Sequence, residues 1–152
     1  MRCRRAVNQK KSLRVLVFGC FDLLHLGHVF FFQRAKKLGG FNAKLFVVVA
    51  RDANARRAKG KTPFFTEKER AALLRSLRVV DRVVLGGKRD LFAVIKKIKP
   101  GVIVLGFDQR VDEKKLKRKI KEFGLRARVV RLRVAFKPRR HKSALLAKRL
   151  GL

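Results

Sequence analysis

With 152 residues, 42 Lys plus Arg, 10 Asp plus Glu and a net charge of +32, the chain has the length of one domain and a strongly cationic surface. Hydrophobic residues make up 47%, enough for a real core, which argues against a disordered basic tail. No apolar run approaches the roughly 20 residues needed to cross a bilayer. The charge would concentrate any anion at the surface, so it names no partner by itself. No recognised nucleic-acid motif accompanies it, and no specific nucleic-acid partner is expected. Residues 1–12 read as a basic, disordered extension without signal-peptide character, and 13–152 as a single domain. Cys3 and Cys20 are too few for a disulfide framework, which fits a cytoplasmic setting.

Along the chain, short apolar runs alternate with segments of helical spacing. Leu13–Gly19 (LRVLVFG) predicts a strand covered on both faces, and His28–Leu38 a helix. Lys44–Ala50 (KLFVVVA) is the second strand. The next predicted helix is Glu67–Leu77, opened by a capping box in which Glu69 stands three residues after Thr66. Arg82–Leu85 is a short strand and Leu91–Ile98 a helix. Gly101–Leu105 follows as a strand between Pro100 and Gly106. Asp112–Phe123 predicts a helix stopped by Gly124, Arg128–Val134 a fifth strand, and His141–Leu150 a last helix.

Repeated strand–helix–strand units imply an α/β fold: one doubly wound, Rossmann-like domain with a five-stranded parallel sheet and helices on both faces. Such sheets bind ligands beyond the carboxyl ends of their strands, which directs attention to the segments after Gly19, Ala50 and Leu105.

The first of these segments, Gly19-Cys20-Phe21-Asp22-Leu23-Leu24-His25-Leu26-Gly27-His28, holds two of the chain's three histidines. Gly27 allows close approach to the backbone, and a helix beginning near Leu26 would offer unpaired N–H groups to an anion. His25 and His28, three positions apart, can face one ligand. Two imidazole donors beside a helix start suit a phosphate whose oxygens gain charge during transfer, with no protein nucleophile required. The alternatives are histidines that satisfy loop polar groups or bind a metal as a pair, for which a third ligand is lacking. Asp22 could orient a histidine, cap the helix or hold a magnesium ion.

His25-Leu26-Gly27-His28 resembles the H-x-G-H signature of a nucleotidyltransferase superfamily. The resemblance implies direct attack by an acceptor phosphate on the α-phosphate of a nucleotide, steadied by both histidines. A divalent ion, Mg2+ being the first choice, would bridge the departing pyrophosphate. It further implies catalytic roles for Lys59 and Arg70, within Lys59-Gly60-Lys61 and Glu69-Arg70, and nucleotide contacts from Cys20, Phe21, His25, Leu26, Gly27, His28, Asp108 and Ser143. Asp108 would lie near the ribose or base, and Ser143 would bind phosphate at the start of the last helix.

The strings VARD at Val49–Asp52, KGK-x-P at Lys59–Pro63, VD at Val80-Asp81, KP at Lys99-Pro100 and VLG-x-DQ at Val104–Gln109 are similar to the archaeal type of FAD synthase. That likeness runs from about Leu13 to Leu150. It implies transfer of AMP from ATP to FMN, giving FAD and pyrophosphate, in a family that often forms homodimers. Cys20 instead matches the GCFD of related cytidylyltransferases, which would join CTP to a phosphorylated alcohol such as glycerol 3-phosphate. A third reading, from the charge alone, is a non-catalytic RNA-associated protein on an old catalytic scaffold.

Overall fold

The structure, a computed structural model, describes residues 12–90, 92–133, 143–149 and 151. Residues 1–11 of the extension, together with Leu91, Val134, His141, Lys142 and Leu150 of the expected elements, lie outside the described residues. In chain order the elements are β1 (Arg14–Gly19), α1 (Leu26–Lys37), β2 (Lys44–Val49), α2 (Asp52–Lys59), α3 (Glu67–Arg75), β3 (Arg82–Leu85), α4 (Ala93–Ile98), β4 (Val102–Leu105), α5 (Glu113–Glu122), β5 (Arg128–Arg131) and α6 (Ser143–Arg149). The five strands form one sheet in the order β3-β2-β1-β4-β5, and every pairing is parallel. The chain winds outward from β1 through β2 to β3, then crosses back to place β4 on the other side of β1. Strand order therefore reverses between β1 and β4, where doubly wound sheets open a crevice.

The apolar strand sequences follow from burial on both faces. Val15, Leu16 and Val17 of β1 are all fully buried. Val15 and Val17 pack with Phe32 and Ala35 of α1 and with Ala71 and Leu74 of α3. Leu16 points the other way, onto Val94, Ile95 and Ile98 of α4 and Leu116 and Ile120 of α5. Alternation along one strand thus assigns α1 and α3 to one face and α4 and α5 to the other.

Each predicted strand is found at or within a residue of its expected start. The capping box is present: Glu69 N–H donates to Thr66 Oγ1 at 3.4 Å, and Thr66 N–H donates to Glu69 Oε2 at 2.8 Å. α1 begins at Leu26 rather than His28, which places Gly27 and His28 inside its first turn. α2 was not expected. Its sequence DANARRAK buries only Ala55, so it carries no apolar stripe; Gly60, at φ 70°, ends it in the left-handed region.

At the amino ends of the strands, Asp81 gathers Leu45 N–H at 2.7 Å, Lys36 Nζ at 2.6 Å and Lys44 Nζ at 3.4 Å. Burial works to raise its carboxyl, but these donors hold it below its ordinary value. The Val80-Asp81 string therefore serves the scaffold, at the end of the sheet remote from the crevice. No described helix is long and apolar enough to cross a membrane.

Candidate active site

A cleft of about 920 Å³ lies over the carboxyl ends of β1, β2 and β4 and takes in Cys20, Phe21, His25, Gly27, His28, Lys59 and Asp108. The fold thus brings most of the expected site residues together. The Leu26 side chain is not part of the lining; it stands 59% exposed on the outside of the α1 start. Ser143 opens α6, and its side chain lies outside the described residues.

His25 is the N-cap of α1, with extended backbone at φ −147°, and no acidic residue occupies the first turn. The two histidines brace one another. His28 N–H donates to the His25 carbonyl at 2.9 Å, and His25 N–H donates to His28 Nδ1 at 3.4 Å. Their rings stack with centroids 3.9 Å apart and planes inclined by 26°. Since Nδ1 of His28 accepts, its ring proton belongs on Nε2, which leaves Nε2–H as the ring's donor. Burial, followed by the positive charge of His25 and of Lys59, lowers His28 to about 3. His28 is therefore a neutral imidazole throughout the physiological range.

Phe21 supports this pair from the core. Its ring meets His28 edge-on, with centroids 5.5 Å apart, and packs against Phe32 at 5.1 Å. The Phe21 backbone is left-handed, at φ 51°, a conformation that costs a non-glycine residue about 1–2 kcal/mol. A Cβ at Gly19 would sit 2.8 Å from Phe21 Cζ, so only glycine lets the ring fold back over the end of β1.

Two clamps hold that turn. Asp22 accepts from Phe64 N–H at 2.8 Å and Phe65 N–H at 2.9 Å, one bond to each carboxylate oxygen. These bonds staple the connection between α2 and α3 to the loop after β1. The second clamp is Arg70, which is fully buried. Its Nε donates to the Phe65 carbonyl at 3.0 Å, Nη1 to the Cys20 carbonyl, and Nη2 to the Ala50 carbonyl at 2.9 Å and to Asp52 Oδ1. Arg70, given a catalytic role by the resemblance, lies buried behind the cleft and ties the ends of β1 and β2 to α2. Fully burying a guanidinium requires such saturation.

Asp52 and Glu67 complete the clamp by capping each other's helices. Asp52 N–H donates to Glu67 Oε2 at 2.9 Å, and Glu67 N–H donates to Asp52 Oδ2 at 3.1 Å. Arg51 Nη1 meets Glu67 Oε1 at 2.6 Å, and that bond is the main reason the Glu67 carboxyl is held below its usual value. α2 is thereby fixed over the crevice, with Asn54 and Ala58 in its lining and Lys59 as its last residue. Lys59 is exposed, and its charge is felt at both His28 and Cys20. Burial raises Cys20 above the ordinary thiol value, so it remains protonated at neutral pH.

On the β4 side, the loop at Gly106–Gln109 is braced from two strands. Gln109 Oε1 accepts from Gly106 N–H at 2.8 Å, and its Nε2 donates to the Phe18 carbonyl. Arg131 of β5 donates to the Gly106 and Gln109 carbonyls, both at 2.8 Å, and its Nε meets Glu113 at 2.7 Å. Asp108 is left exposed on this loop, facing the cleft. Gln109 was visible in the VLG-x-DQ string, but Arg131 and Asn54 carried no signal among so many polar and basic residues.

A family model for cytidylyltransferase-like proteins matches residues 16–149. The FAD synthase of Pyrococcus abyssi is 41% identical over 141 residues, which cover 92% of this chain and 93% of that protein. The chain belongs to the FAD synthase family, within the cytidylyltransferase-like proteins. The FAD synthase of Thermoplasma volcanium is 45% identical over 120 residues, covering 79% of this chain and 82% of that one. Among solved structures, a protein from Thermoplasma volcanium described as a lipopolysaccharide core biosynthesis protein superposes with a TM-score of 0.77. It is 42% identical, with 84% of this chain and 100% of that one covered.

Proposed function

We infer that this protein is an ATP:FMN adenylyltransferase that forms FAD and pyrophosphate. A phosphate oxygen of FMN attacks the α-phosphorus of ATP, a new P–O–P bond forms, and the bond from that phosphorus to the oxygen bridging to the β-phosphate breaks. The attacking phosphate is already an anion, so neither a protein nucleophile nor a general base is needed.

The observation that carries this reading is the stacked histidine pair at the mouth of α1, inside a cleft that also holds Lys59. His28, neutral with its proton on Nε2, donates to the α-phosphate oxygens as they gain charge, and His25 does so beside it. The first-turn N–H groups of α1 add a further positive field. Lys59 receives the triphosphate, and the Asp108 carboxylate suits the ribose hydroxyls. Arg70 acts through the backbone of Cys20 and Ala50 as a positioning residue.

A divalent ion travelling with the triphosphate would supply charge neutralisation on the leaving pyrophosphate. Among the described residues no three His, Cys, Asp or Glu side chains gather. Such an ion would enter with the nucleotide, as part of that substrate. Kinship with FAD synthases disfavours both the CTP-dependent reading and the RNA scaffold.

The test is incubation of the purified protein with ATP, FMN and a divalent ion, followed by chromatography. FAD and pyrophosphate should appear in equal amounts. Absence of FAD with every divalent ion tried, or turnover of CTP with glycerol 3-phosphate in preference, would overturn the assignment.

A further inference from the structure

The lining of the cleft is uneven in a way that the phosphate chemistry does not explain. One stretch is polar, with Asp108, Gln109, Arg110 and Lys115. Another is wholly apolar: Phe18 of β1, Val48 of β2, and Phe92, Val94 and Ile95 at the start of α4. These side chains belong to the core cluster on the α4 and α5 face, but Phe18 and Phe92 are only half-buried at its edge. An apolar stretch of substrate cleft edged by two half-buried aromatic rings suits a ligand part that is itself apolar.

Of the two substrates, ATP suits this stretch poorly. The amino group and ring nitrogens of adenine need hydrogen-bonding partners, which these five side chains lack. The flavin ring is broad and flat, and its dimethylbenzo end has no polar atom to satisfy. We propose that Phe18 and Phe92 form the platform that receives the flavin ring of the acceptor, making Phe92 a specificity-determining residue. The proposal rests on the FMN reading above and adds where the ring lies. It also explains how a small phosphorylated alcohol is refused, since such an acceptor has the phosphate but nothing to cover the aromatic wall.

The experiment titrates the full chain into FMN without nucleotide, following flavin fluorescence, and then measures the KM for FMN and for ATP. Phe92→Ala should weaken FMN binding and raise its KM about tenfold, with the KM for ATP within about twofold of the parent. Riboflavin, which keeps the ring and lacks the phosphate, should lose affinity in parallel. Phe92→Leu keeps the site apolar and guards against a folding defect; it should lose most of the ring affinity, while Phe92→Trp should retain it. Unchanged FMN affinity in Phe92→Ala and Phe92→Leu, or a rise confined to the KM for ATP, would overturn the platform while leaving FAD synthesis standing. A parent protein that neither binds FMN nor forms FAD would overturn both readings together.

Discussion

Lys59 and Arg70 carry the same charge and stand on consecutive helices, and the family resemblance implies a catalytic role for both. In the folded chain they do opposite work. Lys59 closes α2 with its ammonium exposed beside the histidine pair. Arg70 is sealed, every guanidinium nitrogen donating to a carbonyl or to Asp52. The difference lies in geometry: a forked, planar donor can satisfy several carbonyls at once, whereas a compact ammonium on a flexible stem keeps its field free for a ligand. A positive residue in a motif thus identifies the site without telling whether it meets the substrate or builds the wall behind it.

This contrast breaks most sharply at Arg70. Arg70→Met leaves the Cys20, Ala50 and Phe65 carbonyls and the Asp52 carboxylate without their partner, at a cost of about 3–5 kcal/mol in stability. Chemical denaturation should show a lower midpoint, and activity should fall with it. A stable Arg70→Met protein with a raised KM for ATP would make Arg70 a substrate ligand after all. Lys59→Ala should do the reverse: an unchanged unfolding midpoint, with kcat/KM for ATP reduced about tenfold or more through loss of a charged donor to phosphate. Equal turnover by this variant would remove Lys59 from the site.

A smaller effect concerns pH. His28 is lowered to about 3 in the folded protein against an ordinary 6.5, so between those values the unfolded chain binds the additional proton. Stability should therefore rise with pH across that window and be lost as pH falls below 6.5, by up to about 1.4 kcal/mol per pH unit. Glu67, held low by Arg51, works in the same direction, since its contribution disappears as its carboxylate is protonated. The NMR signals of the His28 ring should not titrate between pH 5 and 8. A midpoint near 6.5 there would show that the ring is open to solvent and not held neutral by burial.

Much of the fold was readable because its physics is local. Val, Ile and Leu runs such as VIVL at β4 mark strands buried on both faces, and the Thr66–Glu69 pair marks a helix start. α2 escaped notice because its sequence DANARRAK buries only Ala55 and so has no periodic apolar face. Within the site, the spacing of His25 and His28 was enough to suggest a shared ligand. The partners of Asp22 were not legible, since they are backbone N–H groups at Phe64 and Phe65, distant in the chain. The left-handed turn at Phe21 was equally hidden, as nothing in a phenylalanine announces that conformation. Phe18 lies inside an apolar strand run and Phe92 inside a helical segment, so neither announces a ligand; only the three-dimensional structure shows their edges opening into the cleft.

The histidine pair is the centre of the account, and its most direct test is the kcat for FAD formation by His28→Ala, set beside the parent at a pH where both are folded. Loss of a neutral donor aimed at charge that develops only during transfer should lower kcat about 10²–10³-fold with the KM values little changed. A His28→Ala protein that turns over within about threefold of the parent would contradict it, because no donor of that kind can be removed at so small a cost.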